Sequence, residues 1–492
     1  LSEPKPFKIK HYLPYMALLL MLGFGIWLIL ATGSRLYSQR AFPASPAESP
    51  AVSPSPTPYQ SESGRNLSGR IFRDNLRNPL SILLLQLVVI IVVARLVGKL
   101  FRKIGQPPVL GEIVAGIVLG PSLLGWLSPE TMAFLFPASS MGTLKLLSQI
   151  GVALFMFVVG MELDVRRLRQ KANTAIMVSH ASIIVPFFLG AALSLFVYRS
   201  LAPARTSFTA FALFMGIAMS ITAFPVLARI LEDRRMSQTY LGSIALTCAA
   251  VDDVTAWCML ALVIAFAQSG SVAASFLTIA LTLCFICVML LIIKPGLARL
   301  FMARLKGKTE SSGRYRREGR GPVAGILAFV LACALLTETI GIHSLFGAFL
   351  AGVVMPSTAG LRVLLKEKLE PLTAAMLLPL FFAFTGLRMQ ISLLNDWYSW
   401  ATCAVIVAVA IAGKLGASML MARWSGMNWR DSFSLGVLMN TRGLVELIVL
   451  NIGYDLGILS ARSFAMLVLM ALVTTLMTGP LLSLVRVDRR EK

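Results

Sequence analysis

Charge is what this sequence is short of. Only 14% of its 492 residues are Asp, Glu, Lys or Arg, where a soluble domain carries about 25%, and the mean hydropathy is +0.78. That shortage excludes a chain folded in water. The six cysteines (Cys248, Cys258, Cys284, Cys287, Cys333 and Cys403) all fall within apolar stretches. They read as small packing residues, not as a disulfide framework or a zinc site. No G-x-x-x-x-G-K-[ST] loop occurs, so nothing indicates ATP-driven pumping. Acidic residues number 23 against 45 basic ones. The basic ones lie in short loops between apolar segments with no aromatic-interleaved basic face, so no nucleic-acid partner is expected.

What the chain does have is a succession of apolar runs of about 20 residues, each long enough to cross a hydrocarbon core of ~30 Å as a helix. They fall near 12–31, 80–98, 108–125, 142–160, 174–198, 207–232, 240–266, 271–294, 322–340, 342–357, 367–388, 396–420, 432–453 and 462–485. Barrel strands would alternate over about 10 residues, whereas helices satisfy their own backbone where water is absent. The expectation is an all-α, multi-pass membrane protein.

The first run stands apart. Residues 1–33 read as an N-terminal membrane anchor or signal segment. Residues 34–78, including "AFPASPAESPAVSPSPTPYQSESGRN", have too few large apolar side chains to pack and read as a Ser/Pro-rich disordered linker. Residues 79–486 form the transmembrane domain, with a basic loop at 294–321 between its halves and a short tail at 487–492. The "GLARLFMARLKGK" part of that loop is basic and amphipathic, suited to an anionic lipid surface. Alternating loops on one side of the membrane, the tail included, hold 28 Lys and Arg, against 5 in the opposite set. The positive-inside rule then puts the C-terminus in the cytoplasm, across an inner or plasma membrane, and the 34–78 linker outside.

Two adjacent carboxylates, Asp252 and Asp253 in "AAVDDVTAW", lie about 12 residues, or ~18 Å, into their segment, near the bilayer midplane. Each ionised aspartate there costs roughly 2.5–3.5 kcal/mol. Neighbours on a helix point about 100° apart, so one can meet a partner helix while the other faces a cavity. A carboxylate poised there can exchange a proton for a hard monovalent cation. Lys414 in "IVAVAIAGKLGASML" is the only charge of its segment; it either snorkels to the interface or serves as the partner cation. Gly413 and Gly416 beside it permit close helix approach.

Two segments look broken. One has Pro225 in "MSITAFPVLARIL", and the other has Asn440, Thr441, Arg442 and Gly443 in "GVLMNTRGLVELIVL". Glu446 follows Arg442 at i+4, a spacing at which the two can neutralise each other. Interrupted helices at corresponding places in two halves point to a transporter's ion site. Glu112, Glu162, Asp164, Glu338 and His343 read as groups at helix ends, interfaces or turns.

Seven stretches, in order, resemble the second branch of the monovalent cation:proton antiporter superfamily: "QPPVLGEIVAGIVLGPSLLG", "LFMFVVGMELDV", "TAFPVLARIL", "AAVDDVTAW", "GIHSLFGAFLAGVVMP", "PLFFAFTGLRM" and "GVLMNTRGLVELIVLNIG". Several are similar to the plant-type cation/H+ exchangers, while the double aspartate with an intramembrane lysine is more like the electrogenic bacterial Na+/H+ antiporters. The resemblance implies a 13-helix inverted-repeat antiporter fold with two crossed discontinuous helices, plus the extra N-terminal helix, and a homodimer. It implies exchange of a monovalent cation, Na+ favoured, for H+ by an elevator-type movement. A K+/H+ exchanger and a Na+-coupled symporter of similar fold are the alternatives. Asp253 would carry the ion (Na+ or K+) or the proton, Thr222 would line the site, and Asp252 would pair with Lys414. Pro225, Asn440, Thr441, Arg442 and Glu446 would support the crossing. No cofactor, enzymatic activity or nucleotide-binding regulatory domain is expected.

Overall fold

The computed structural model describes residues 12–37, 78–162, 172–237, 239–268, 272–306, 320–356 and 359–485. Most of the 34–78 linker, much of the 294–321 loop, Asp164 and the 487–492 tail therefore lie outside the described residues. The described chain is nearly all helix: α1 (Tyr12–Tyr37), α2 (Pro79–Lys103), α3 (Pro108–Leu119), α4 (Ala138–Glu162), α5 (Ala172–Leu201), α6 (Phe208–Ser220), α7 (Phe224–Asp233), α8 (Tyr240–Gln268), α9 (Val272–Cys287) and α10 (Lys294–Lys306). The second half continues with α11 (Arg320–Ile340), α12 (Ser344–Val353), α13 (Ala359–Leu372), α14 (Leu378–Leu387), α15 (Trp397–Ile411), α16 (Ala417–Trp424), α17 (Trp429–Met439), α18 (Leu444–Asp455) and α19 (Ala461–Leu484). Short π-helical turns at Val288–Ile293, Thr373–Leu377 and Ala412–Gly416 join α9 to α10, α13 to α14 and α15 to α16.

Among the described residues, 12 helices or helix runs are long and apolar enough to cross a membrane, or 13 if the bent pair α17–α18 is one span. This is a multi-pass membrane protein. The 342–357 run carries only a ten-residue helix, because Gly341 and His343 both adopt positive φ (94° and 75°) and turn the chain just before it. Helix starts follow the sequence chemistry. Ser207, Asp396, Asn428 and Ser460 each accept a backbone N–H of the first turn of α6, α15, α17 and α19, as side-chain caps do.

The helices pack as two groups. One contains α2, α3, α4, α11, α12 and α14. The other contains α5 to α8 and α15 to α19, with α1 laid against α5 and α6. Reciprocal glycines set the closest approaches in the first group. A Cβ on Gly160 (α4) would lie 2.2 Å from the Phe349 carbonyl oxygen, and one on Gly352 (α12) 2.2 Å from that of Phe157. Backbone cannot yield as a flexible side chain can, so only glycine allows this contact. Cys248, Cys333 and Cys403 are buried packing residues, whereas Cys258, Cys284 and Cys287 lie on the outer apolar surface. A thiol is apolar enough for that surface, and the packing expectation fails for those three.

Prolines tie helices together by what they remove. Pro186 in α5 has no N–H to offer the Ser182 carbonyl, and the Lys414 ammonium takes it at 2.8 Å. Pro480 in α19 likewise releases the Leu476 carbonyl, which accepts from Gln106 at 3.1 Å. Pro379 at the start of α14 follows a π turn, and Arg95 donates to the Ala374 and Ala375 carbonyls at 3.2 and 3.0 Å. In each case a freed carbonyl receives a side-chain donor from elsewhere in the chain, which satisfies the acceptor and ties the two segments together.

Gly160→Ala is expected to destabilise the protein by about 1–3 kcal/mol through overpacking, read as a lower unfolding temperature in detergent. Gly142→Ala, on the same helix with nothing within 4 Å of the new Cβ, should stay within about 1 kcal/mol of the parent.

Candidate ion site

Two interrupted helices cross where their chains are extended. Residues 221–223 separate α6 from α7, and residues 440–443 separate α17 from α18 with a bend of 41°. The breaks bond to each other: the Ala223 N–H donates to the Thr441 carbonyl at 3.0 Å, and the Thr222 hydroxyl lies 3.2 Å from the Met439 carbonyl oxygen. Pro225 occupies the first turn of α7, where its missing N–H costs nothing.

Ending a helix in the middle of a bundle leaves carbonyls that water cannot reach. Two cations take those of α6. The Arg442 guanidinium donates to the Ala218 and Met219 carbonyls at 2.6 and 2.7 Å, and the Lys414 ammonium donates to that of Ser220. Positive charge at a helix C-terminus also meets the negative end of its dipole. Arg442 pairs with Glu446, in the first turn of α18, at 3.0 Å, and both are fully buried. The Arg442 backbone N–H donates to Thr475 in α19, whose hydroxyl lies 2.8 Å from the Arg442 carbonyl.

Lys414 is fully buried and does not snorkel. It sits in the π-helical turn between α15 and α16, where Gly413 allows the backbone to come against Pro186 of α5. π turns of this kind re-aim a side chain without ending the helix. The ammonium has three acceptors: the Ser182 carbonyl, the Ser220 carbonyl and Asp252 Oδ2, the last at 2.9 Å. Three acceptors match its three donors. Asp252 in turn collects the Ser179 hydroxyl at 2.6 Å, the Ser182 hydroxyl at 2.8 Å and the Thr222 hydroxyl at 2.7 Å. Four donors surround that carboxylate, and it has little capacity left for an ion.

Asp253 is different. It is 2% exposed, and its Oδ1 has no hydrogen-bond partner. One turn further along α8, Trp257 Nε1 also lacks a partner, and the indole stacks on Phe349 of α12 at 6.3 Å between ring centroids. This face of α8 therefore lies towards the first helix group. Among the described residues, the buried charged side chains are Asp252, Asp253, Glu446, Lys414 and Arg442. Each of the two cations is matched by one carboxylate, which leaves Asp253 as the odd charge.

The structure thus brings Thr222, Asp252, Asp253 and Lys414 into one neighbourhood and places Arg442 and Glu446 at the adjoining break. Asn440 and Thr441 turn towards α19, near Met477 and Thr478. Glu112 is half-buried in α3 of the other group. Glu338 accepts the Ser344 N–H at 2.7 Å, and His343 caps the start of α12. Sequence reading missed Ser179, Ser182 and Pro186. The signal was present in "SHASIIVP": two serines a turn apart, with a proline four residues past the second.

Arg442→Met should cost roughly 3–5 kcal/mol, because it strands a buried carboxylate, measured as thermal unfolding in detergent. Adding Glu446→Leu should recover only part of that loss, since the Ala218 and Met219 carbonyls stay unpaired.

Comparison with known proteins places the chain in a family. The profile of the sodium/hydrogen exchanger transmembrane family matches residues 88–486. The chain is 46% identical over 405 residues to the Na(+)/H(+) antiporter NhaS4 of Synechocystis, covering 82% of this chain and 97% of that protein. It is 40% identical over 407 residues to the cation/H(+) antiporter 17 of Arabidopsis thaliana, covering 82% of this chain and 48% of that one. With the K(+)/H(+) antiporter 1 of Saccharomyces cerevisiae the identity is 32% over 425 residues, covering 85% and 46%. The chain thus spans about half the length of its plant and yeast relatives. Its fold is similar to that of the sodium proton antiporter MjNhaP1 of Methanocaldococcus jannaschii, with a TM-score of 0.60 at 13% identity over 83% of this chain and 98% of that one. The chain belongs to the sodium/hydrogen exchanger family and has its all-α antiporter fold.

Proposed function

We propose that this member of the sodium/hydrogen exchanger family is a secondary antiporter that exchanges a monovalent cation, Na+ favoured, for H+, with Asp253 carrying each in turn. The charge balance of the buried site carries this reading: two cations are each matched by a carboxylate, and Asp253 alone remains. An isolated buried carboxylate is costly, so it is accompanied by either a proton or a cation, and the two compete for one place. Carboxylate, hydroxyl and carbonyl oxygens suit a hard ion. Lys414 has every donor engaged; with its proton retained, one carboxylate carries one charge and the exchange is one cation for one proton. Sodium is favoured by the identity to the Synechocystis relative; potassium is the second reading, favoured by the yeast one.

The same reading assigns movement. The helices that hold the site (α5 to α8 and α15 to α19) shift as a body along the other group, an elevator that presents Asp253 to each side in turn. The separate packing of the two groups supports it, as does the contact of the Asp253 side of α8 with α12. The basic loops and the C-terminus face the cytoplasm across an inner or plasma membrane. Two copies associate as a homodimer, and the exposed apolar stripe of α2 (Leu80, Leu84, Val88, Val92, Leu96 and Leu100) is the surface we assign to that contact.

In proteoliposomes with an internal pH dye, added Na+ should move protons where choline does not, and K+ and Li+ should rank below Na+. Asp253→Asn should reduce the exchange to background. Substantial residual exchange in that variant would remove Asp253 from the role, and a larger signal with K+ would select the second reading.

A further inference from the structure

We propose that a shared ion pair at the end of α18 is a latch that holds the ion-carrying helices against the other group on the face opposite the basic loops. The inference rests on the alternating-access reading above. Asp455, the last residue of α18, pairs with Lys145 of α4 at 2.9 Å and with Arg388, which caps the end of α14. The two cations come from one helix group and the carboxylate from the other, so the bonds cross the boundary along which the groups would slide.

The arrangement has more than the two ion pairs. Arg388 also donates to Asn451 Oδ1 at 2.8 Å, one turn earlier on α18, and its guanidinium lies 4.5 Å from the centre of the Tyr454 ring. Asn451 Nδ2 donates to the Thr385 hydroxyl of α14 at 2.8 Å. Arg388 is thereby fixed by a carboxylate, an amide and an aromatic face, an arrangement that a lysine could not reproduce. The side chains of Arg388 and Asp455 are 14% and 21% exposed. The pair is therefore drier than an ordinary surface salt bridge, yet close enough to water for both charges to be solvated once it opens. α18 is also the second half of the broken helix that holds Arg442, so releasing its far end frees the element that forms the crossing.

On the basic face, the bond from Gln106 to the Leu476 carbonyl also joins the groups, and it is neutral. Among the bonds described between the groups, the charged ones thus lie on the opposite face and the Gln106 bond on the basic one. Neutralising Asp455 removes both ion pairs that cross the boundary and leaves Lys145 and Arg388, both of one group, without their shared carboxylate. The latch therefore biases the resting population towards the state open to the basic face.

Sided transport tests this. Asp455→Asn and Arg388→Gln should lower the KM for Na+ presented at the opposite face by roughly three- to tenfold, with less than a twofold change at the basic face, as a population shift requires. Asp455→Glu should retain the parent values. A fall in turnover with both KM values unchanged would mean that the cluster only stabilises the fold, and would overturn the latch. Backbone amide exchange of the parent and Asp455→Asn proteins in nanodiscs gives a readout independent of transport. Amides of α18 should exchange several-fold faster in the variant, and unchanged exchange overturns the proposal. If the parent moves no protons with any cation, the antiport reading fails and amide exchange alone decides on the latch.

Discussion

Three carboxylates and two cations sealed in one bundle cannot all be neutralised by each other, and the rest of the architecture follows from how that imbalance is arranged. Burying an unpaired charge costs several kcal/mol even after relaxation. The fold confines the surplus to one atom set. Asp252 is surrounded by three hydroxyls and an ammonium, Glu446 is held through one oxygen by Arg442 while its Oε2 has no partner, and Asp253 has neither a cation of its own nor a partner for its Oδ1. Adjacent positions on one helix are thus given opposite tasks by the elements around them. In the function proposed above, the site is complete only with a proton or a cation on Asp253.

The paired groups are held by backbone as much as by side chains. The break after Ser220 and the proline at 186 each expose a carbonyl, and Lys414 occupies both. The π turn around Lys414 aims it there, and Gly413 lets α5 come close enough to be reached. Arg442 does the same for the preceding two carbonyls of α6. The interruption of α6 therefore creates the acceptors that fix the cations, and the cations make the interruption affordable within a membrane. Removing either partner would expose the other.

Much of this was legible in the sequence, because a membrane makes polar residues conspicuous. Asp252, Asp253, Lys414 and the Asn440–Gly443 break stand out against apolar runs, and the first break was marked by Pro225. The helical segments followed from length and hydropathy alone. The ten-residue α12 did not, since its shortness comes from backbone turns at Gly341 and His343 that no apolar count reveals. Ser179, Ser182 and Pro186 also escaped notice, because serine and proline are ordinary within membrane helices and acquire meaning only when a cation from another helix arrives. The cross-group cluster around Asp455 depends on three distant segments meeting, which the sequence does not display.

The most direct test is the number of protons released when Na+ binds the purified protein. It is measured by titration calorimetry in buffers of different ionisation enthalpy, across a range of pH. A single odd carboxylate predicts a release that rises to one proton per Na+ and never exceeds it, with Asp253→Asn releasing none. A release approaching two protons would show that Lys414 also gives up its proton, and a release near zero at every pH would show that cation and proton do not share a site; either would contradict the account.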